Sequence, residues 1–298
     1  MTVLEELQAA IAAVADRVSP SVVGIGSQHR GSGVVVADGR ILTNAHNVRG
    51  AEVTVRFADG RTAVGRVSGV DWDGDLAVVD VDTADAKAPD WGAADGLAPG
   101  TVVLGASATP SGPTRVTLGF VSAVERAFRG PGGRRIGGTV EHTAPLAPGS
   151  SGGPLLDREG RLLGLNTNRL GEGFYLAIPA DAALRQRVDA LARGEAPERP
   201  RLGIAVAPGH VARQLRRSVG LPERDGLLVR GVEDGSPAGK AGIKEGDLIV
   251  AAGGTPVSDV DALHDILGGA GLPIEITIVR GAEERTVNVG GGEAAGEA

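Results

Sequence analysis

This sequence predicts a mostly β domain of barrel or sandwich type, followed by a separate mixed α+β domain, and three observations carry that prediction. From Ser21 to Ala180, short β-branched runs are cut by glycine turns with no helical period between them, and strands at that density close into barrels or pack as a sandwich. The polar, proline-bearing stretch GEAPERPR at 194–201 interrupts the pattern, as linkers between domains do. Beyond it, strand and helix patterns alternate in a compact segment that runs to about residue 290.

Leu4, Leu7, Ile11, Val14 and Val18 recur at helical steps, so residues 3–18 read as an amphipathic helix ended by Ser19-Pro20. Gly33 to Val36, Asp38-Gly39 and Ile41-Leu42 read as a hairpin, and Val53, Val55 and Phe57 before Asp59-Gly60 begin a second. The runs Leu76 to Val81, Thr101 to Leu104, Val116 to Val124, Thr139 to His142, Leu155-Leu156, Leu162 to Leu165 and Phe174 to Ile178 continue the series. Residues 181–193 return to helix, with Leu184, Val188 and Leu191 on one face and Gly194 as the stop. In the last segment, strands at Leu202 to Val206, Leu227 to Val232, Asp247 to Ala251, 274–280 and 285–289 surround helices near 210–219 and 259–267. The second of these opens with Ser258-x-x-Asp261, a capping-box-like start. The division is therefore an N-terminal helix at 1–20, a β domain at 21–193, a linker at 194–200, an α+β domain at 201–290 and a disordered tail at 291–298.

Composition removes several function classes. The 298 residues are 42% hydrophobic and only 2% aromatic, so Val, Leu, Ile and Ala must fill the cores. A net charge of −7 argues against a nucleic-acid partner held through phosphates, and the pairs Arg134–Arg135 and Arg216–Arg217 read as solvated surface. The absence of cysteine excludes a thiol nucleophile, disulfides and cysteine-ligated zinc. No apolar run approaches membrane-spanning length and no basic leader precedes the first helix, so the chain as given reads as soluble without an export signal. A longer precursor trimmed to this form is compatible with it.

One stretch, PGSSGGP at 148–154, reads either as a polar turn or as the seat of a nucleophile. A serine hydroxyl needs a base, and the five histidines are His29, His46, His142, His210 and His264. His46 stands out, because Thr43-Asn44-Ala45 would leave its ring free at the end of a strand. The base needs a carboxylate partner. Asp75 directly abuts the apolar run Leu76 to Val79, with Asp71, Asp73 and Asp80 as competitors.

TNAH at 43–46, DLAVV at 75–79 and GSSGGPL at 149–155 stand in the chain order His, Asp, Ser. This resembles the chymotrypsin-like serine proteases, and more closely their HtrA (Deg) branch, to which SPSVV at 19–23, GSG at 31–33 and LGLNT at 163–167 are also similar. The likeness covers roughly residues 15 to 290. It implies a two-barrel protease domain at 21–193 and a PDZ domain at 201–290. Ser151, directly before Gly-Gly-Pro, is then the nucleophile, His46 the base and Asp75 its orienter, with the Gly149 and Ser151 N–H groups as oxyanion hole. Pro145, six before the nucleophile, and Leu146 after it imply an apolar pocket for small or medium aliphatic side chains. Leu202-Gly203-Ile204 resembles the PDZ carboxylate-binding loop, and GSPAGKAGIKEGDLIVAAGG at 235–254 the most specific PDZ stretch. Val260 and Leu263 would face the peptide, with ordinary core packing as the equal alternative.

The resemblance further implies ATP-independent cleavage of unfolded or misfolded polypeptides in protein quality control, capture of C-terminal peptides by the PDZ groove, a homotrimer, and no metal or cofactor. It implies the bacterial cell envelope, whereas the missing signal leaves a cytoplasmic protein open. The loop 129–135 corresponds by position to a regulatory loop. Three departures stand out: Ser150 where the branch usually has Asn, Asn47 where an aliphatic residue is usual, and Leu146-Ala147-Pro148 in place of a stretch that commonly carries Asn. They leave a catalytically silent, chaperone-like peptide-binding scaffold as the competing reading, and an esterase as the third.

Overall fold

The computed structural model describes residues 2–111, 113–131, 135–195, 201–218 and 220–291. Most of the predicted linker, Gly132 to Arg134 of the predicted regulatory loop, and the predicted tail beyond Gly291 therefore lie outside the described residues. The chain divides into two units, Met1–Pro197 and Glu198–Ala298.

In the first unit, α1 (Val3–Val18) starts in a capping box, Thr2 Oγ1 accepting from the Glu5 N–H and Glu5 Oε2 from the Thr2 N–H. Only Val14 and Val18 of its apolar face are buried, packed with Leu104, Ala106 and Leu156, while Val3, Leu4 and Leu7 stay exposed. Strands β1 (Val22–Ile25), β2 (Gly31–Ala37), β3 (Arg40–Thr43), β4 (Glu52–Arg56), β5 (Thr62–Asp71) and β6 (Leu76–Asp80) close one antiparallel barrel in the order β1-β2-β3-β6-β5-β4. β7 (Val102–Ser107), β8 (Arg115–Arg129), β9 (Arg135–His142), β10 (Pro154–Leu156), β11 (Leu162–Gly171) and β12 (Phe174–Pro179) close a second, ordered β10-β11-β12-β9-β8-β7. The helix α2 (Ala182–Ala192) follows, capped by Asp181, whose carboxylate accepts from the Leu184 N–H.

The strand period explains why the first-barrel runs read as continuously apolar. Val35, Ile41, Ala77 and Val79 point into the barrel, while their neighbours Val34, Leu42, Leu76 and Val78 point out into a second buried layer. That layer also contains Leu162, Leu165 and Ile178 of the second barrel and Leu184, Val188 and Leu191 of α2. Each such side chain contributes about 1.5–3 kcal/mol through burial, so the barrels and α2 hold one another. β8 and β9 run further than the apolar pattern predicts. Their hairpin continues as a bulged ladder out to the pair Arg129–Arg135, with register shifts, Glu125 at φ +54°, and Phe128 and Ile136 packed with Leu176.

The second unit is a sheet ordered β13-β14-β15-β17-β18, made of β13 (Ile204–Ala207), β14 (Leu227–Val232), β15 (Leu248–Ala252), β16 (Thr255–Pro256), β17 (Ile274–Arg280) and β18 (Glu283–Val289), with β16 paired to β15. Helices α3 (Gly209–Ser218), α4 (Pro237–Lys240) and α5 (Val260–Ala270) accompany it. Three readings are corrected here. The short α4 goes unpredicted although Ser236-Pro237 is a helix-start signal. Asp259, not Ser258, caps α5, its carboxylate accepting from the Ala262 N–H at 2.9 Å. Arg216 is not solvated: it is buried because its guanidinium donates to the Pro222 and Gly281 carbonyls. No described helix is long and apolar enough to cross a membrane.

Candidate active site

β3 ends at Thr43, and a single 3-10 turn, Ala45–Asn47, carries His46 out of the barrel wall. Asp75 stands at the head of β6 in the left-handed region, φ +52°, a conformation that Asp tolerates better than most residues. Several contacts hold it there. Asn44 Nδ2 donates to its carbonyl at 2.9 Å, the His46 N–H to Oδ1 at 3.2 Å and Thr167 Oγ1 to Oδ2 at 2.7 Å. His46 Nδ1 lies 2.9 Å from both carboxylate oxygens. The carboxylate only accepts, so Nδ1 carries the proton and Nε2 keeps a free lone pair. The Asp75 side chain is 1% exposed and the imidazole 37%, a buried carboxylate beneath an accessible ring. The rival aspartates are engaged elsewhere: Asp71 pairs with Arg187 at 2.6 Å and Asp80 with Arg66 at 3.0 Å.

Ser151 lies in the turn between β9 and β10. The Ser150 N–H closes on the Ala147 carbonyl and the Gly153 N–H on the Ser150 carbonyl. Gly149 takes φ +86°, which a side chain would oppose. Among the described residues, the N–H groups of Gly149 and Ser151 meet no acceptor. The carbonyls of this turn are held from the first barrel. Ser32 Oγ donates to the Gly149 carbonyl at 2.8 Å, and the Ser32 N–H and Asn47 Nδ2 each donate to the Ser151 carbonyl at 2.8 Å. The Ser151 hydroxyl donates to the Thr167 carbonyl at 2.8 Å. Thr167 therefore links the serine to the Asp75–His46 pair.

A pocket of about 160 Å3 opens beside Ser151, lined by Leu146, Ala147 and Pro148 and by Asn166 to Arg169 and Tyr175. Leu146 belongs to it; Pro145 does not. Pro145 is exposed, and its carbonyl accepts from Thr117 Oγ1 at 2.8 Å. Most of the surface that the lining presents is apolar, with Arg169 among its residues. Behind it, buried His142 stacks on Tyr175 and its Nε2 sits 2.9 Å from Asn166 Oδ1. Burial lowers its pKa to about 4, against the opposing pull of the Asn166 hydrogen bond. His29, at φ +52°, lies against the opposite side of the turn: a Cβ on Gly149 would stand 2.7 Å from its ring. Burial, then Arg56 and Arg115, lower the His29 pKa. Ser32 and Thr167 lie in similar motifs with no role attached, Asn47 stands out only as a departure, and nothing local in the sequence marks their partners.

In the second unit, Leu202 is buried in the core and Gly203 sits at φ +72°. Their carbonyls accept from Ala238 and Glu233 N–H groups, whereas their own N–H groups find no acceptor among the described residues. Ile204 opens β13, the edge strand of the sheet. Leu263 is 4% exposed in the core, while Val260 is half-buried at its margin.

Two closed antiparallel barrels, with an aspartate-paired histidine joined through Thr167 to a serine at a pocket, define a trypsin-like serine endopeptidase domain, and a separate unit of sheet and helices follows it. A trypsin-like peptidase model matches residues 31–165 and a PDZ model residues 228–280. HhoA of Synechocystis sp., named as a serine protease, is 36% identical over 278 residues, covering 87% of this chain and 70% of that protein. A periplasmic DegP-like serine endoprotease of Halomonas elongata is 32% identical over 282 residues, covering 91% and 58%; the chain thus spans little more than half of that relative's length. The solved structure of the HtrA-type protease AlgW with a decapeptide superimposes at TM-score 0.72 with 26% identity, covering 94% of this chain and 97% of that one. The chain belongs to the HtrA family of serine proteases.

Proposed function

We propose that this chain is an ATP-independent endopeptidase that cuts unfolded or misfolded polypeptides, with Ser151 as nucleophile, His46 as base then acid, and Asp75 as its orienter. The observation that carries this reading is the unbroken contact path His46–Asp75–Thr167–Ser151 at the mouth of the pocket. For reaction, the Ser151 hydroxyl rotates from the Thr167 carbonyl to His46 Nε2 and gives up its proton as Oγ attacks the scissile carbonyl. The developing oxyanion takes the free N–H groups of Gly149 and Ser151. His46 then protonates the leaving amine, and water repeats the sequence to release the acyl group. Arg169 on the pocket wall disfavours a basic side chain there.

The open edge of β13 and the unused N–H groups of Leu202 and Gly203 support strand addition by a peptide whose C-terminal carboxylate those groups receive. The core position of Leu263 leaves Ile204 and Val260 as the apolar contacts. The exposed Val3, Leu4 and Leu7 of α1 support assembly into a trimer through the N-terminal segment. Relatives named as periplasmic support the bacterial cell envelope as its location.

The parked Ser151 hydroxyl favours one alternative, a silent scaffold that binds unfolded chains without cutting them. The test compares the chain with Ser151→Ala on an unfolded casein-like substrate, with fluorophosphonate labelling alongside. Cleavage and labelling that both vanish in the variant support the peptidase. An unlabelled wild-type chain that binds substrate without cutting it, even with C-terminal peptides added, supports the scaffold.

A further inference from the structure

We infer that Asn47 is a positioning residue for the reaction: its carboxamide holds the turn bearing Ser151 in register with the adjacent His46. The inference rests on the reading of Ser151 as nucleophile. Asn47 ends the 3-10 turn that carries His46 and is fully buried. Its Nδ2 donates to the Ser151 carbonyl at 2.8 Å and to Thr43 Oγ1 at 3.0 Å, while Thr43 Oγ1 donates to the Ser32 carbonyl at 2.6 Å. Because the atom facing the Ser151 carbonyl must donate, the amide orientation follows from its partner.

The other half of the amide argues the same way. Asn47 Oδ1 is buried with no hydrogen-bond partner among the described residues, a net cost that an aliphatic side chain of similar size would avoid. The amide also lies flat against Gly31, where a Cβ would stand 2.2 Å from Asn47 Cγ. What the polar side chain gains in return is its contact with the nucleophile's own peptide.

That contact completes a clamp. The Ser151 carbonyl takes two donors, Asn47 Nδ2 and the Ser32 N–H, which fill its two lone pairs. On the far side of the same peptide, the Gly152 N–H donates to the Asn166 carbonyl at 2.7 Å. With that peptide held from both edges, and the preceding one, which carries the Ser151 N–H, held at the Ser150 carbonyl by the Gly153 N–H, Ser151 is left with rotation about χ1. Its Oγ can swing from Thr167 to His46 while its N–H stays aimed at the oxyanion site. Since Asn47 follows His46 in the chain, any shift of that turn moves base and clamp together.

The test measures kcat, KM, fluorophosphonate labelling rate, pH profile and melting temperature for Asn47→Val. The expected result is a melting temperature at or above wild type, KM within about twofold, and kcat and labelling rate lowered together by about 10- to 100-fold, the penalty for a misplaced reacting group. The pH midpoint stays put, because the His46–Asp75 contact is untouched. If Asn47→Val does not fold, Asn47→Ser, polar but too short to reach the Ser151 carbonyl, carries the same expectation. Wild-type kcat and labelling in a folded variant overturn the inference, as does a loss confined to KM or to melting temperature. A wild-type chain that neither labels nor cleaves removes the nucleophile reading and this inference with it, an outcome distinct from equal labelling of both proteins.

Discussion

The Thr167 carbonyl accepts the Ser151 hydroxyl at 2.8 Å, while the Thr167 side chain donates to Asp75 Oδ2 at 2.7 Å. One residue thus holds the serine at rest with its backbone and braces the orienting carboxylate with its side chain. Thr167→Val removes the second contact and keeps the first. A hydrogen bond to a charged group is worth about 1.5–3 kcal/mol, so kcat is expected to fall about tenfold or more. KM should hold steady, as measured by steady-state hydrolysis of an activated ester.

Gly149→Ala places a methyl 2.7 Å from the His29 ring at φ +86°. The left-handed strain alone costs about 1–2 kcal/mol, and relieving it turns the Gly149 N–H out of the oxyanion site. We expect kcat down by about 10²- to 10³-fold, the usual loss for one such donor. Circular dichroism would meanwhile report a folded chain.

The stability of the first unit depends on His142. Its folded pKa of about 4 lies below the ordinary value of 6.5, so between these values the unfolded chain binds a proton that the folded chain refuses. Stability therefore falls as pH drops from 6.5 toward 4 and levels off below that. The loss is about 3 kcal/mol at most. Melting curves at pH 4.5 and 7 should differ less for His142→Gln than for the wild type.

Leu42→Ala tests the layer between the barrels. Leu42 is fully buried there with Leu76 and Leu165, and deletion of a buried leucine side chain costs about 2–5 kcal/mol. Urea titration followed by fluorescence would read the shift in midpoint; a change below about 1 kcal/mol would show that the layer is loosely packed.

The fold and the three candidate side chains were legible in the sequence because each is written locally: alternation for strands, glycine turns for hairpins, and short motifs around His46, Asp75 and Ser151. What it did not reveal depends on contacts between distant positions. Asn47 meets Ser151 across 104 residues and Ser32 meets Gly149 across 117, and no local pattern encodes such pairs. Counting back from Ser151 puts Pro145 in the pocket, whereas Leu146 lines it and the Pro145 carbonyl pairs with the Thr117 hydroxyl. The β8–β9 hairpin escaped for a different reason: register shifts in its outer half break the two-residue period, although Phe128 and Ile136 are buried there.

The apolar layer shared by Val34, Leu42 and Val78, by Leu162, Leu165 and Ile178, and by Leu184, Val188 and Leu191 limits how this protease can be divided or recombined. Each barrel has an interior of its own, but the layer between them is shared, so a fragment ending between them would leave half of that layer facing water. The cleft is thus a seam within a single cooperative block rather than a hinge between two modules. Chimeras with relatives should tolerate a junction after Gly194 and fail at one between β6 and β7, however similar the exchanged barrels are.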